Sequence, residues 1–242
     1  VTPKVSVFMP SFNKGEYVLD ALRSVFGQSR TDWELWILEN SNDGVTHLVV
    51  ENELSKLSAE DRFKVHYVRL EGEEIEYRRE HSYITAWLLN VYYPEANGDY
   101  IFYLSDDDLI DPDCFEVMAG ELDAHSDYGV VYASLRIALV TEPGSGPYPD
   151  KGIPAEDIKS FSGTCDCKMD GGQIMHRKVC LDAIVYPYFE ECGEGYIANH
   201  CDGIFLERLV GRFPFYPIPR WLITHRRTEQ SMWTRTATRE DE

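Results

Sequence analysis

The feature that most constrains this chain is the regular alternation, through its N-terminal half, of short β-rich runs with stretches of helical period. Val5 to Met9 reads as a buried strand, after which Val18, Leu19, Leu22, Val25 and Phe26 recur at helical spacing until Gly27. Trp33 to Leu38 is the second strand, and a helix follows from Val45 to Leu57. The third strand lies at Val65 to Leu70, with a helix over His81 to Val91 behind it. Tyr100 to Leu104, entered through the Asn97-Gly98-Asp99 turn, is the fourth. Parallel strands need long crossovers, and helices supply them. The pattern therefore predicts an α/β chain: one Rossmann-like domain with a mostly parallel central sheet flanked by helices.

The fourth strand runs directly into Ser105-Asp106-Asp107-Asp108. Asp111-Pro112 then reads as the cap and start of a helix carrying Phe115, Met118 and Leu122. The three aspartates thus fall at the carboxyl end of a strand, where open α/β sheets bind ligands. Like charges a few ångströms apart raise one another's pKa, and a hard divalent ion such as Mg²⁺ or Mn²⁺, shared with substrate phosphates, is the natural counter-charge. The plainer reading is turn and cap carboxylates in an acidic chain. Two other segments reach the same edge. Met9-Pro10-Ser11-Phe12-Asn13-Lys14 supplies a ring that can stack on a base or simply pack. Glu39-Asn40-Ser41-Asn42-Asp43 supplies hydrogen-bonding groups, or an ordinary Asn/Asp turn.

Charge narrows the partners. With 23 Lys+Arg against 42 Asp+Glu, the net charge of −19 repels nucleic acid and anionic lipid, so neither is expected as a partner. A diphosphate entering such a chain needs a local cation. The 242 residues, 43% of them apolar, suffice for one sizeable core. No apolar run approaches the roughly 18 residues that span a bilayer, and Val1 to Val7 lacks the layout of a signal peptide. The expectation is a cytoplasmic chain without an integral membrane segment, its six cysteines reduced. Cys165-x-Cys167, with Cys192 and Cys201, matches no common zinc spacing. The chain does not begin with Met, which leaves a larger parent protein open.

Beyond Gly129 the pattern loosens. Val130 to Ala133 reads as a strand, Glu142 to Pro154 as a Pro/Gly-rich surface loop or lid, and Gln173 to His176 as a short strand. Helices are expected near Lys178 to Ile184 and Asp202 to Val210, followed by a basic, aromatic tail from Trp221 to Trp233. Residues 1–108 and 109–242 are expected to be the two halves of one domain, the second ending in a C-terminal lid.

Taken together, Val5 to Lys14, the Glu34-to-Asp43 strand and turn, Ser105 to Asp108, His176-Arg177, Asp202 and Phe213 to Pro217 resemble family-2 inverting glycosyltransferases of the GT-A fold. The resemblance implies a donor of nucleotide-diphosphate sugar, UDP- or dTDP-linked, and a hydroxyl acceptor. It implies that Phe12 stacks on the nucleobase, that Lys14 and Arg79 help hold it, and that Pro10, Glu39 and Asn40 belong to the donor site. Asp106 matches the ribose-contacting carboxylate. Asp107, Asp108 and His225 match the groups around a Mn²⁺ or Mg²⁺ ion, with Arg226 and Arg227 beside the diphosphate. Asp202 matches the catalytic base, its plainer reading being a helix cap. One position departs: relatives carry aspartate where this chain has Asn40, whose amide can accept the hydrogen of a pyrimidine N3 or turn its own donor inward. His176 and His200 are acceptor-site candidates that read equally as structural histidines.

Two other readings use the same parts. A sugar nucleotidyltransferase opens with a Gly-rich, Arg-containing phosphate loop, which Pro10 to Gly15 is not. A non-catalytic nucleotide-sugar-binding module tolerates loss of Asp202 or of the acidic cluster, and both are present.

Overall fold

The computed structural model describes residues 2–81, 84–155, 169–189 and 196–228, the side chains at 79–81 and 196–201 excepted. In its first half, β1 (Val5–Ser11), α1 (Tyr17–Phe26), β2 (Trp33–Glu39), α2 (Thr46–Leu54), α3 (Ala59–Arg62) and β3 (Val65–Arg69) follow one another. Next come α4 (Glu73–His81), α5 (Ile84–Tyr92), β4 (Tyr100–Tyr103), β5 (Leu109–Ile110) and α6 (Cys114–Ala124). The second half holds β6 (Val130–Leu139), β7 (Gly152–Ile153), β8 (Ile174–Arg177), α7 (Tyr196–Val210) and β9 (Phe215–Arg227). Among the described residues one sheet runs in the order β3-β2-β1-β4-β8-β6-β9-β5, with β7 beside β6.

Strands β1 to β4 are mutually parallel, as the alternation with helices requires. Side chains along β1 alternate between two apolar layers. Val5, Val7 and Met9 pack with Leu22, Val25 and Phe115 on one face, and Phe8 packs with Leu88, Tyr93 and Ile101 on the other. Both faces are dry, which explains why these strands read as continuous apolar runs. Within β1, the polar Ser6 is satisfied: its hydroxyl donates to Glu34 Oε1 at 2.5 Å and accepts from the Gly98 amide at 2.8 Å. A Cβ at Gly98 would stand 2.7 Å from the Ser6 nitrogen, so the turn into β4 admits no side chain there.

Later strands change direction. β8 runs antiparallel to both β4 and β6, while β9 runs parallel to β6 and antiparallel to β5. Strand β9 accommodates Pro219 through a register shift: Ile218 faces Ala133 and Trp221 faces Ser134, which leaves Pro219 and Arg220 as extra residues on β9. A bulge of this kind excuses a proline from the ladder.

Several expectations need correction. The helix expected over 81–91 is α5, while α4, ahead of it, was not foreseen because its residues are strongly polar. Asp111 does not cap α6, which starts at Cys114; its carboxylate takes a two-pronged bond from Arg136 at 2.8 and 3.1 Å. Asp202 lies inside α7 rather than at its N-cap, because the helix begins at Tyr196. Residues 221–227 are strand, not tail, and 229–233 lie outside the described residues. The loop 142–154 is anchored twice, by β7 and by the Gly144 amide on Asp20 Oδ2 at 2.8 Å. Cys114 and Cys180 are buried free thiols, whereas Cys165, Cys167 and Cys192, the Cys201 side chain and that of His200 lie outside the described residues. No described helix is long and apolar enough to cross a membrane.

His176 belongs to the core. It is 2% exposed, its Nδ1 meets the Arg177 carbonyl at 2.9 Å, and its ring packs against Tyr93 and Phe205. Burial pushes its pKa down to about 4, partly offset by the hydrogen bond to that carbonyl. The unfolded chain, with an ordinary histidine, binds a proton between pH 6.5 and 4 that the folded one refuses, so stability falls as pH drops through that window. The expected contribution is a loss of about 2.5 kcal/mol between pH 7 and 4.5. Urea unfolding at both pH values should show His176→Leu losing that much less than the wild type on acidification; parallel losses would mean that the imidazole is charged in the fold.

Candidate active site

The loops that carry most of the candidate groups sit at the carboxyl end of the parallel strands, brought there by chain direction. Phe12 to Lys14 leave β1, Glu39 and Asn40 end β2, and Ser105 to Asp108 leave β4. The loops after β1 and β2 are laced together by Asn13, whose φ of 53° suits asparagine. Its amide donates to Ser41 Oγ at 2.9 Å, and its side-chain oxygen accepts from the amides of Asn42 and Asp43 at 2.9 and 3.1 Å. The antiparallel pairing of β5 with β9, Leu109 opposite Thr224, sets His225 beside Asp108. The antiparallel course of β8 along β4 brings the turn Asp170 to Gln173 to the same edge.

The three aspartates are nearly dry, at 5, 4 and 1% exposure for Asp106, Asp107 and Asp108. Each has its own partner. Asp106 Oδ2 accepts the Phe12 amide at 2.9 Å, and Lys14 Nζ lies 2.5 Å from Asp107 Oδ2. Asp108 accepts the Arg226 amide at 2.9 Å on one oxygen and faces His225 Nδ1 at 3.2 Å with the other. Burial raises the Asp106 carboxyl to about 7; Lys14 pulls against the rise and Asp107 adds to it. For His225 burial acts downward, but Asp108, Asp170 and Asp107 outweigh it and lift the imidazole to about 9. The ring is therefore a cation at neutral pH.

A fourth carboxylate joins the cluster through α7. Asp202 Oδ2 accepts the Gly171 amide at 3.3 Å and Oδ1 the Gly203 amide at 2.8 Å. Burial and the charge of Asp170 push its carboxyl up to about 6, against those amides. A carboxylate poised near neutrality suits a general base. Asp170 escaped the sequence reading. It caps the 3₁₀ turn Gly171–Gln173, accepting from Gly172 while its own amide donates to Gln173 Oε1 at 2.9 Å. The Asp-Gly-Gly-Gln spacing was the available signal, a capping box ahead of an apolar run. Burial raises its pKa, with His225 opposing and Asp108 adding. The fit at Gly171 is tight: a Cβ there would stand 3.3 Å from that of Asp202, which would have to give by a few tenths of an ångström.

The remaining donor-site candidates are placed unequally. Phe12 keeps its ring 38% exposed at the edge, open to a stacking partner. Pro10 is buried within β1 opposite Leu38. Glu39 and Asn40 are 1 and 2% exposed, Glu39 accepting the Ser41 amide at 2.8 Å and the Asn40 amide donating to the Ser11 carbonyl at 3.0 Å. Arg79 lies on α4, its side chain outside the described residues. Arg227 ends β9 opposite Leu139, partly buried. Among the described residues no three His, Cys, Asp or Glu groups stand ready around one point to hold a metal. The donor set is nevertheless hard oxygen, and Mg²⁺-type ions commonly take one or two carboxylates and draw their remaining ligands from substrate phosphate and water. Asp107, whose Oδ2 meets a flexible lysine, fits that demand.

Comparison with known proteins agrees with this geometry. The sequence model of glycosyl transferase family 2 matches residues 6–181. Protein CgeD of Bacillus subtilis (strain 168) is 29% identical over 238 residues, which cover 94% of this chain and 51% of CgeD. The chain thus spans about half the length of that curated relative. The crystal structure of S. aureus TarS 1–349 superposes with a TM-score of 0.60 at 16% identity, covering 92% of this chain and 60% of that one; TarS 1–349 is also known in complex with UDP-GlcNAc. The mannosyltransferase PcManGT from Pyrobaculum calidifontis, in complex with GDP-Man and Mn²⁺, gives a TM-score of 0.59 at 15% identity over 93% of this chain and 57% of that one.

Arg226 has a different place from the one expected beside a diphosphate. It is fully buried, and its guanidinium faces away from the strand ends into the α1 layer. Nη1 meets Asp20 Oδ2 at 2.7 Å, Nη2 donates to the Tyr17 carbonyl at 2.9 Å, and Nε donates to the Asp107 carbonyl. The side chain ties α1, the aspartate loop and β9 together. Breaking a buried pair strands its partner, at a cost on the order of 3 to 5 kcal/mol. Arg226→Met should therefore lower the melting temperature by roughly 10 °C while nucleotide affinity, measured well below the transition, stays within about twofold. A variant that melts normally and loses nucleotide binding would return Arg226 to the diphosphate.

Proposed function

The chain belongs to glycosyl transferase family 2, and we propose that it moves a sugar from a nucleotide-diphosphate sugar to an acceptor hydroxyl in one displacement that inverts the anomeric carbon, with a divalent cation, Mn²⁺ or Mg²⁺, at Asp107. The observation that carries the reading is the meeting, at one sheet edge, of the desolvated trio Asp106-Asp107-Asp108 with Lys14, His225 and Asp202. The bound UDP-GlcNAc of TarS and the GDP-Man and Mn²⁺ of PcManGT supply the donor class and the metal by analogy. UDP or dTDP remains the proposed nucleotide, with Asn40 reading the base edge.

In this reading Phe12 stacks on the base, and Asp106, held by the Phe12 amide, takes the ribose hydroxyls. Asp107 holds the cation. Asp108 fixes His225 by its Nδ1 and so orients the other ring nitrogen toward metal or phosphate. Charged His225 neutralises phosphate directly, and ligating a metal instead requires it to give up its proton. When bound, the cation screens the charge that builds on the leaving diphosphate. Asp202 removes the proton of the attacking hydroxyl, its carboxylate held at both oxygens by backbone amides.

Asp202 separates an enzyme from a binding module. Asp202→Asn keeps the shape but cannot take a proton, so sugar transfer or slow donor hydrolysis should fall about 10²- to 10⁴-fold, with melting temperature and donor affinity unchanged. Wild-type turnover in that variant would leave the base unassigned. Asp107→Ala should abolish Mn²⁺-dependent stabilisation by UDP- or dTDP-sugars in a thermal-shift panel that also holds GDP- and CMP-sugars. An undiminished Mn²⁺-dependent shift would remove the aspartate from the metal.

A further inference from the structure

The reading above leaves open what balances the aspartates before a donor arrives. Lys14 Nζ lies 2.5 Å from Asp107 Oδ2, in a pair whose side chains are only 14 and 6% exposed. We propose that the Lys14 ammonium is a built-in counter-ion that holds the cation's place at Asp107, so that divalent cation and diphosphate bind as a cooperative pair and either alone binds weakly. The inference rests on the metal role proposed for Asp107 and adds the residue that makes metal and nucleotide depend on each other.

The geometry directs an incoming cation to this oxygen. Asp108 already accepts the Arg226 amide and faces His225, and Asp106 Oδ2 accepts the Phe12 amide. Those partners are backbone or ring groups fixed by β1 and β9, and they have little room to retreat. Lys14 differs. Its backbone is pinned on both sides, by Asn13 on Ser41 and by the Gly15 amide on Thr46 Oγ1 at 2.8 Å. Its ammonium, however, rides on a four-carbon stem that can swing without moving the chain. Two cations sharing one dry carboxylate oxygen repel each other strongly. A metal arriving alone must therefore expel the ammonium to a place with no new anion. A diphosphate arriving with the metal supplies oxygens for both cations. Because binding couplings are reciprocal, the lysine that weakens metal without nucleotide also weakens nucleotide without metal.

Manganese titrations read by the electron paramagnetic resonance of free Mn²⁺ test this, with and without saturating UDP or GDP, whichever binds better. The wild type should bind Mn²⁺ alone weakly and at least tenfold more tightly with nucleotide. Lys14→Met should bind Mn²⁺ alone at least tenfold more tightly than the wild type, a gain of about 1.4 kcal/mol, with a smaller coupling to nucleotide. Lys14→Gln should repeat that result if the methionine variant folds poorly, and Lys14→Arg, which keeps the charge, should keep the wild-type coupling. Unchanged or weaker binding of Mn²⁺ alone by both neutral variants, beside a wild type that binds Mn²⁺ with nucleotide, overturns the counter-ion role and spares the metal reading. Absence of Mn²⁺ binding by every protein, with and without nucleotide, overturns the metal reading and this inference with it.

Discussion

Three adjacent carboxylates held almost out of water are the constraint around which this structure is arranged. Desolvation penalises each of them, and each answers with a distinct partner: a backbone amide for Asp106, an ammonium for Asp107, an imidazole and an amide for Asp108. Those partners come from β1 and β9, the strands whose ends must lie beside β4 for the cluster to exist. Arg226 adds the mechanical tie, since its backbone serves Asp108 while its side chain crosses to Asp20 on α1. The same arginine thus stabilises the fold and fixes the register in which His225 meets the site.

The sheet's change of direction is what completes this edge. Four parallel strands alone deliver the donor-side loops, all from the first half of the chain. The acceptor-side groups arrive because β8 is antiparallel and β9 is closed by β5, so that Asp170, His225 and, through α7, Asp202 converge on the aspartates from the second half. Lys14 and His225, the latter lifted to about 9, face the aspartates, and Asp202, lifted to about 6 by burial and by Asp170, is the group the proposed mechanism uses as proton acceptor.

The chain belongs to glycosyl transferase family 2 and spans about half the length of CgeD, so membership describes this stretch rather than a whole protein's role. Solved neighbours at 15 to 16% identity share the fold, and their nucleotides differ, UDP-GlcNAc in one and GDP-Man in another. Asn40 and Glu39, the groups proposed for the base edge in this chain, are both nearly dry.

The sequence by itself determined the parallel half of the sheet. Strands β1 to β4 are buried on both faces, so their apolar runs are continuous, and their loops carry the polar residues that a parallel sheet must expose at its carboxyl edge; Phe12, Lys14 and Asp106 to Asp108 were legible for that reason. Short-range pattern also gave α1 and its closing Gly27. It gave α5 but not α4, which has no apolar stripe, and it missed Asp170, a lone aspartate in a glycine turn. It assigned Arg226 to phosphate because chemistry alone does not say which way a strand residue points. Only the tertiary structure decided that His225 faces the site while Arg226 faces the core: successive residues of β9 project to opposite sides, and the pairing of Leu109 with Thr224 fixes which side is which.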